Sequence, residues 1–193
     1  MKNTLFKPFH YFQEKQLLIF GLFIGLIGCF IQVLTSSRTI SILQIASLER
    51  QPQLIQTLAD FAISTMIMTV VLYGLGRIIN TKTRFIDIFN TVIIARIPLT
   101  LMIPFDLNGY MSEKSNHLIA SINNPEELAN QSSNLIQLTL FGILGLIMLV
   151  LFGYYIYQGF KTATHLKKPI HLVLFVVLIL ITDILTRLLT TLY

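Results

Sequence analysis

Hydrophobic residues gather into five long runs, at residues 16–35, 60–79, 86–105, 135–157 and 170–191, separated by polar connections. Each run holds about 20 residues, and at 1.5 Å of rise per residue such a helix crosses a hydrocarbon core of about 30 Å. The pattern predicts an all-α fold, a polytopic transmembrane helical bundle with five membrane-spanning helices built as one domain over residues 1–193. The third run contains Arg96, Pro98 and Pro104, so it is the one open to a kinked, tilted or re-entrant path. The first run follows Lys2, Lys7 and Lys15. It is too long for the apolar part of a secretory signal and lacks a small-residue cleavage site, which reads as an uncleaved signal anchor.

Two connections are longer than the rest. In residues 36–59, the apolar positions between Ile40 and Leu48 allow an amphipathic helix lying on the membrane surface. Residues 106–134 are polar. There Asn124, Pro125, Glu126 and Glu127 form a helix-start pattern of cap, first-position proline and first-turn acids. Asn130-Gln-Ser132 fits a glycosylation triplet, a pattern that also arises by chance.

Composition agrees with a membrane setting. Apolar residues make up 54% of the 193 positions and charged residues 12%, against about 25% in ordinary soluble domains. Mean hydropathy is +0.72. The single cysteine, Cys29, lies inside the first run, which excludes a disulfide framework and a cysteine-rich zinc site. The net charge of +5 comes from basic residues dispersed between apolar runs, so it points to topology and anionic headgroups and away from nucleic acid. With a cytoplasmic N-terminus, that side carries Lys2, Lys7, Lys15, Arg77, Lys82, Arg84, Lys161, Lys167 and Lys168, and the other Arg38, Arg50 and Lys114. This asymmetry places the N-terminus in the cytoplasm and the C-terminus outside. For a bacterial source the compartment is the plasma (inner) membrane.

Charges inside the runs are the most informative positions. One near the bilayer centre costs about 2.5–3.5 kcal/mol on insertion scales, so it persists only when paired, hydrated or useful. Arg96 and Asp183 both fall near the midplane. Arg187 lies one helical turn from Asp183, at a depth approached by Asp60. The expected buried polar network is therefore Arg96 with Asp183, and Arg187 with Asp60 or Asp183. Such pairs either lock helix order and register or line a proton or ion path. Only one deeply placed acid and no internal repeat favour the locking role.

Gly21-Leu-Phe-Ile-Gly25, continued by Gly28, gives the first run a face for close helix packing, expected within the chain; Gly74 with Gly76 and Gly142 with Gly145 offer similar faces. Pro98 is expected to shape the third helix. Catalytic patterns are lacking. His10, His117, His165 and His171 are scattered, and no metalloprotease helix, nucleophile elbow, phosphate-binding loop or Cys–His zinc spacing occurs. No catalytic residue, metal site or cofactor is expected.

Three stretches resemble the Yip family, the Ypt/Rab-interacting membrane proteins, in particular its bacterial-type members. Phe6-Lys-Pro-Phe9 precedes the first run. Gly74-Leu-Gly76-Arg-Ile-Ile-Asn80 leads through Thr83-Arg-Phe-Ile-Asp87 to Ala95-Arg-Ile-Pro98. Tyr154-Tyr-Ile-Tyr-Gln-Gly-Phe-Lys-Thr-Ala-Thr-His165 closes the fourth run. Arg96 stands where a small or apolar residue is expected. The resemblance implies a five-helix membrane domain, and eukaryotic relatives act in vesicle traffic with small GTPases. The expected function is a non-catalytic membrane-organising or protein-binding module in contact with the lipid bilayer, with room for a membrane or cytoplasmic protein partner and an oligomeric state left open. The alternative is a small transporter or channel subunit using Asp183 and Arg96.

Overall fold

The computed structural model describes residues 8–48, 50–121 and 132–190. The described residues form helices α1 (Pro8–Tyr11), α2 (Glu14–Leu34), α3 (Leu54–Ile79), α4 (Phe85–Thr100), α5 (Tyr110–Ala120), α6 (Ser132–Thr164) and α7 (Pro169–Thr190). A two-stranded ribbon, β1 (Ser37–Thr39) with β2 (Ile45–Ser47), follows α2, and a 3-10 turn (Ile103–Gly109) follows α4. Among the described residues, five helical segments, α2, α3, α4 continued to Asp106, α6 and α7, are long and apolar enough to cross a membrane.

The long helices begin where local chemistry allows. The Gln16 side chain accepts the Gln13 backbone N–H at 3.0 Å, and Gln56 accepts that of Gln53 at 3.0 Å. The same i, i+3 glutamine contact thus opens α2 and α3 and partners a backbone donor just outside each first turn. The Gln53–Gln56 contact starts α3 at Leu54, six residues before the expected run, because Thr57 and Asp60 are buried inside the fold and need no apolar setting. The tight turn between α3 and α4 is fastened at Gly76, whose carbonyl accepts Asn80 N at 2.8 Å and Thr83 Oγ1 at 3.1 Å.

Helix α4 is the central element, packed by α2, α3 and α6, while α7 packs on α3. It is helical through Thr100 with Pro98 inside; the proline removes the amide that would bond the Ile94 carbonyl, and the helix runs two residues further. Between the helices lie Met68 and Leu72 of α3, Ile88 and Val92 of α4, Phe152, Ile156 and Phe160 of α6, and Phe175 of α7. The Phe160 and Phe175 rings stack at 4.6 Å between centroids. Leu146 and Val150 of α6 and Leu188 of α7 point outward. Lipid tails are as apolar as leucine, so outward leucines are no liability in a membrane and helix association there rests on close packing and polar ties.

The connection after α2 departs from expectation. Residues 40–48 do not form an amphipathic helix. Ser36 adopts a left-handed φ of 50°, α2 stops, and the chain turns into the ribbon, pairing Ser37 with Ser47 and Thr39 with Ile45. Ile45 opens β2 while Ile40 and Ile42 lie in the turn, and a pattern this short does not discriminate strand from helix. Helix α5 occupies a connection in which only a later helix start was expected; that start at Asn124 and the triplet at Asn130 lie outside the described residues.

Candidate functional site

The ribbon enters the bundle, and the deep charges organise around it. Asp60, 0% exposed, lies six residues inside α3. Its two carboxylate oxygens accept Nε and Nη2 of Arg38 at 2.6 and 3.0 Å, the two-pronged geometry that a planar guanidinium and a carboxylate favour. Further along, the ribbon's turn reaches α7. Leu43 N donates to Asp183 Oδ1 at 2.8 Å, and Thr190 Oγ1 donates to the Ile40 carbonyl. Asp183 is seven residues from the end of α7, so the turn descends roughly 10 Å along that helix.

Non-helical backbone survives at such depth only when its polar groups are satisfied inside the protein. Here Thr39 N donates to Gln32 Oε1 at 3.1 Å, Ile40 N to Gln44 O at 3.0 Å, and Leu48 N to Ser36 O at 2.7 Å. Ile42, 3% exposed, plugs into the apolar core below.

Arg96, 6% exposed, belongs to the same polar layer. Its Nη1 donates to Ser64 Oγ at 2.7 Å, Thr65 Oγ1 at 2.6 Å and the Phe61 carbonyl at 3.3 Å, and its Cζ stands 4.8 Å from the Phe61 ring centre. Ser64 Oγ in turn donates to the Asp60 carbonyl, making one network from ribbon to α4. Nearer the ribbon end, Thr57 and Cys29 tie α3 to α2 through reciprocal contacts to each other's backbone carbonyl at 3.3 and 3.5 Å.

The expected pairings are thereby corrected. Arg96 is not brought to Asp183, because α4 and α7 lie on different sides of α3 and hydroxyls of α3 satisfy the guanidinium first. Asp183 is half-buried and takes a ribbon amide. Arg187 is exposed on α7 and forms no ion pair with Asp60 or Asp183; Asp60 is held by Arg38. Of the packing residues, a Cβ on Gly21 would overlap Ile93 of α4, and one on Gly25 would strike the Phe61 ring of α3. Gly74 and Gly142 have open space beside them, and Gly145 meets only Met102 at 3.6 Å. Arg38, Ser64 and Thr65 were missed as site residues. The polar stripe Thr57, Asp60, Ser64, Thr65, Thr69 at helical spacing was the signal available for two of them.

Two cavities flank this layer along the α4–α6 seam. One, of about 640 Å³, lies at the ribbon end among Leu43, Leu99, Met102, Phe141 and Leu146 and is largely apolar. The other, of about 620 Å³, lies at the opposite end, where Glu14 opens α2, Arg84 caps α4 and His165 follows α6. Between them Val92, Ala95, Phe152 and Ile156 fill the seam. At the mouth of the second, Arg84 bonds Asp87 through Nε and Nη2 at 3.0 and 2.7 Å and Glu14 through Nη2 at 2.8 Å. Those bonds, to Asp87 first and then Glu14, hold the guanidinium above its ordinary pKa. Among the described residues, no cluster of three or more His, Cys, Asp or Glu side chains is arranged to hold a metal. Comparison with family models, with curated proteins and with solved structures finds no match to this chain.

Proposed function

We propose that this chain is a non-catalytic integral membrane module of the Yip type, organising the membrane or binding a protein partner, with its N-terminus cytoplasmic and its C-terminus outside. The observation that carries the reading is how the deep charges are engaged. Asp60 clasps Arg38, Arg96 takes hydroxyls of its neighbouring helix, and Asp183 takes a backbone amide, so each holds one element to another. A conduction path needs ionisable groups facing a continuous hydrated route, whereas packed apolar side chains fill the seam between the two cavities. The orientation is supported by Arg77 and Lys161, in the last turns of α3 and α6, and by Lys82, Arg84, Lys167 and Lys168 in the connections that follow them.

The test is the Asp183→Leu variant, which removes the acceptor of the Leu43 amide, reconstituted in vesicles beside the parent protein. A structural role predicts a lower unfolding temperature and loss of any co-purifying partner, with proton and solute leak unchanged. A changed flux in a variant that unfolds like the parent would sink the reading and favour the transporter alternative.

A further inference from the structure

Helix α6 packs closely along only half of its inward face. Toward the α3–α4 end, Phe152, Ile156 and Phe160 are buried in the core. Toward the ribbon, Leu138, Phe141, Gly142, Gly145, Leu146 and Leu149 recur at helical spacing and line the cavity of about 640 Å³. Opposite them α4 ends at Thr100, and the 3-10 turn that follows packs on α2, which leaves the gap. Gly142 has nothing within 4 Å of where a Cβ would stand. Leu146 is 64% exposed although it lines the cavity, so the space opens sideways onto the surroundings of the bundle.

The walls select an uncharged occupant. Asp106 is the only charged side chain among the described residues that line the cavity. Both of its oxygens are engaged at the first turn of α5, Oδ1 by Met111 N at 2.8 Å and Oδ2 by Ser112 Oγ at 3.2 Å. Neither a phosphate nor an ammonium finds an unengaged counter-charge there. A space walled by leucine and phenylalanine stays dry, and hydrocarbon supplies the dispersion contacts such walls otherwise lack.

Length selects the kind of hydrocarbon. Leu138 to Leu149 rise about 16 Å along α6, against about 15 Å for half of a bilayer's apolar core. The lined face is therefore as long as the chain layer of one leaflet. We infer that this cavity receives one acyl chain of a membrane lipid from the leaflet at the ribbon end, with the headgroup left outside. The site reads the chain and is indifferent to the headgroup. It holds for either orientation of the protein and goes beyond the module reading.

The chain contains no tryptophan, so one introduced at Phe141, in the cavity, or at Leu140, exposed on the opposite side of α6, is a lone fluorophore. Each full-length variant is loaded in vesicles of phosphatidylcholine with brominated acyl chains, which quench on contact, and then transferred to bromine-free detergent. Leu140→Trp should recover its emission at once, while Phe141→Trp should stay quenched by the retained chain. Native mass spectrometry of the parent protein should show one lipid per chain. The dioleoyl forms of phosphatidylcholine, phosphatidylethanolamine and phosphatidylglycerol should be retained alike, and dioctanoylphosphatidylcholine about tenfold less. Gly142→Phe, which sets a ring in the open space, should lose the lipid while unfolding like the delipidated parent. Equal recovery at both tryptophans overturns the inference. So does retention that follows headgroup and ignores chain length, or a lipid-free dimer in which a second copy fills the gap. The lipid panel on the parent protein decides the matter even where a variant does not fold.

Discussion

At the scale of single residues, the Arg38–Asp60 clasp is the most exacting contact in the chain. Removing one member takes away the other's two-pronged partner, and breaking an ion pair that reaches a fully buried carboxylate costs about 3–5 kcal/mol. Asp60→Leu or Arg38→Met alone should therefore lower stability severely, as read by thermal unfolding in detergent. The double variant should recover a good part of the loss, because apolar side chains of similar volume can replace a buried ion pair. Additive losses would show that the two residues act separately. That Asp60 and Arg96 would be buried was legible from the sequence, since each lies within or beside an apolar run. Their partners were not, because depth along separately drawn spans does not say which helices are neighbours. Arg38 in particular read as an ordinary loop cation, and only the folded ribbon carries it to α3.

Among the elements, glycines mark which helix faces touch. Gly25→Leu should force the Phe61 ring aside and destabilise the bundle by about 1–3 kcal/mol. Gly142→Leu, beside open space, should change stability by less than about 0.5 kcal/mol. A large effect at Gly142 in detergent-solubilised protein would reveal a neighbour for α6 from outside the single chain. The five apolar helices were readable because an uninterrupted apolar run of that length has few alternatives. The ribbon was not, since residues 37–47 are too few for their period to distinguish strand from helix. What selects the strand is tertiary: Gln32, Asp183 and Thr190 offer partners to an extended backbone entering the bundle.

For the whole molecule, orientation is the property most open to direct measurement. Cys29 is fully buried, so a membrane-impermeant maleimide will report introduced cysteines alone. In intact cells Arg50→Cys should label and Lys167→Cys should not, and inverted membrane vesicles should exchange the two results. The opposite pattern would invert the proposed topology and move the basic connections to the outer face.

The ribbon's anchors also set an order of events during synthesis. Leu43 is held by a residue 140 positions later, and Ile40 by one 150 positions later. Until α7 has been made and inserted, the Leu43 amide and the Ile40 carbonyl lack those partners. The nascent chain therefore carries an unfinished turn from its first helical pair to its last helix, and a copy truncated before Asp183 displays that turn permanently. The arrival of α7 is thus registered far upstream, in whether the Leu43 amide and the Ile40 carbonyl are occupied.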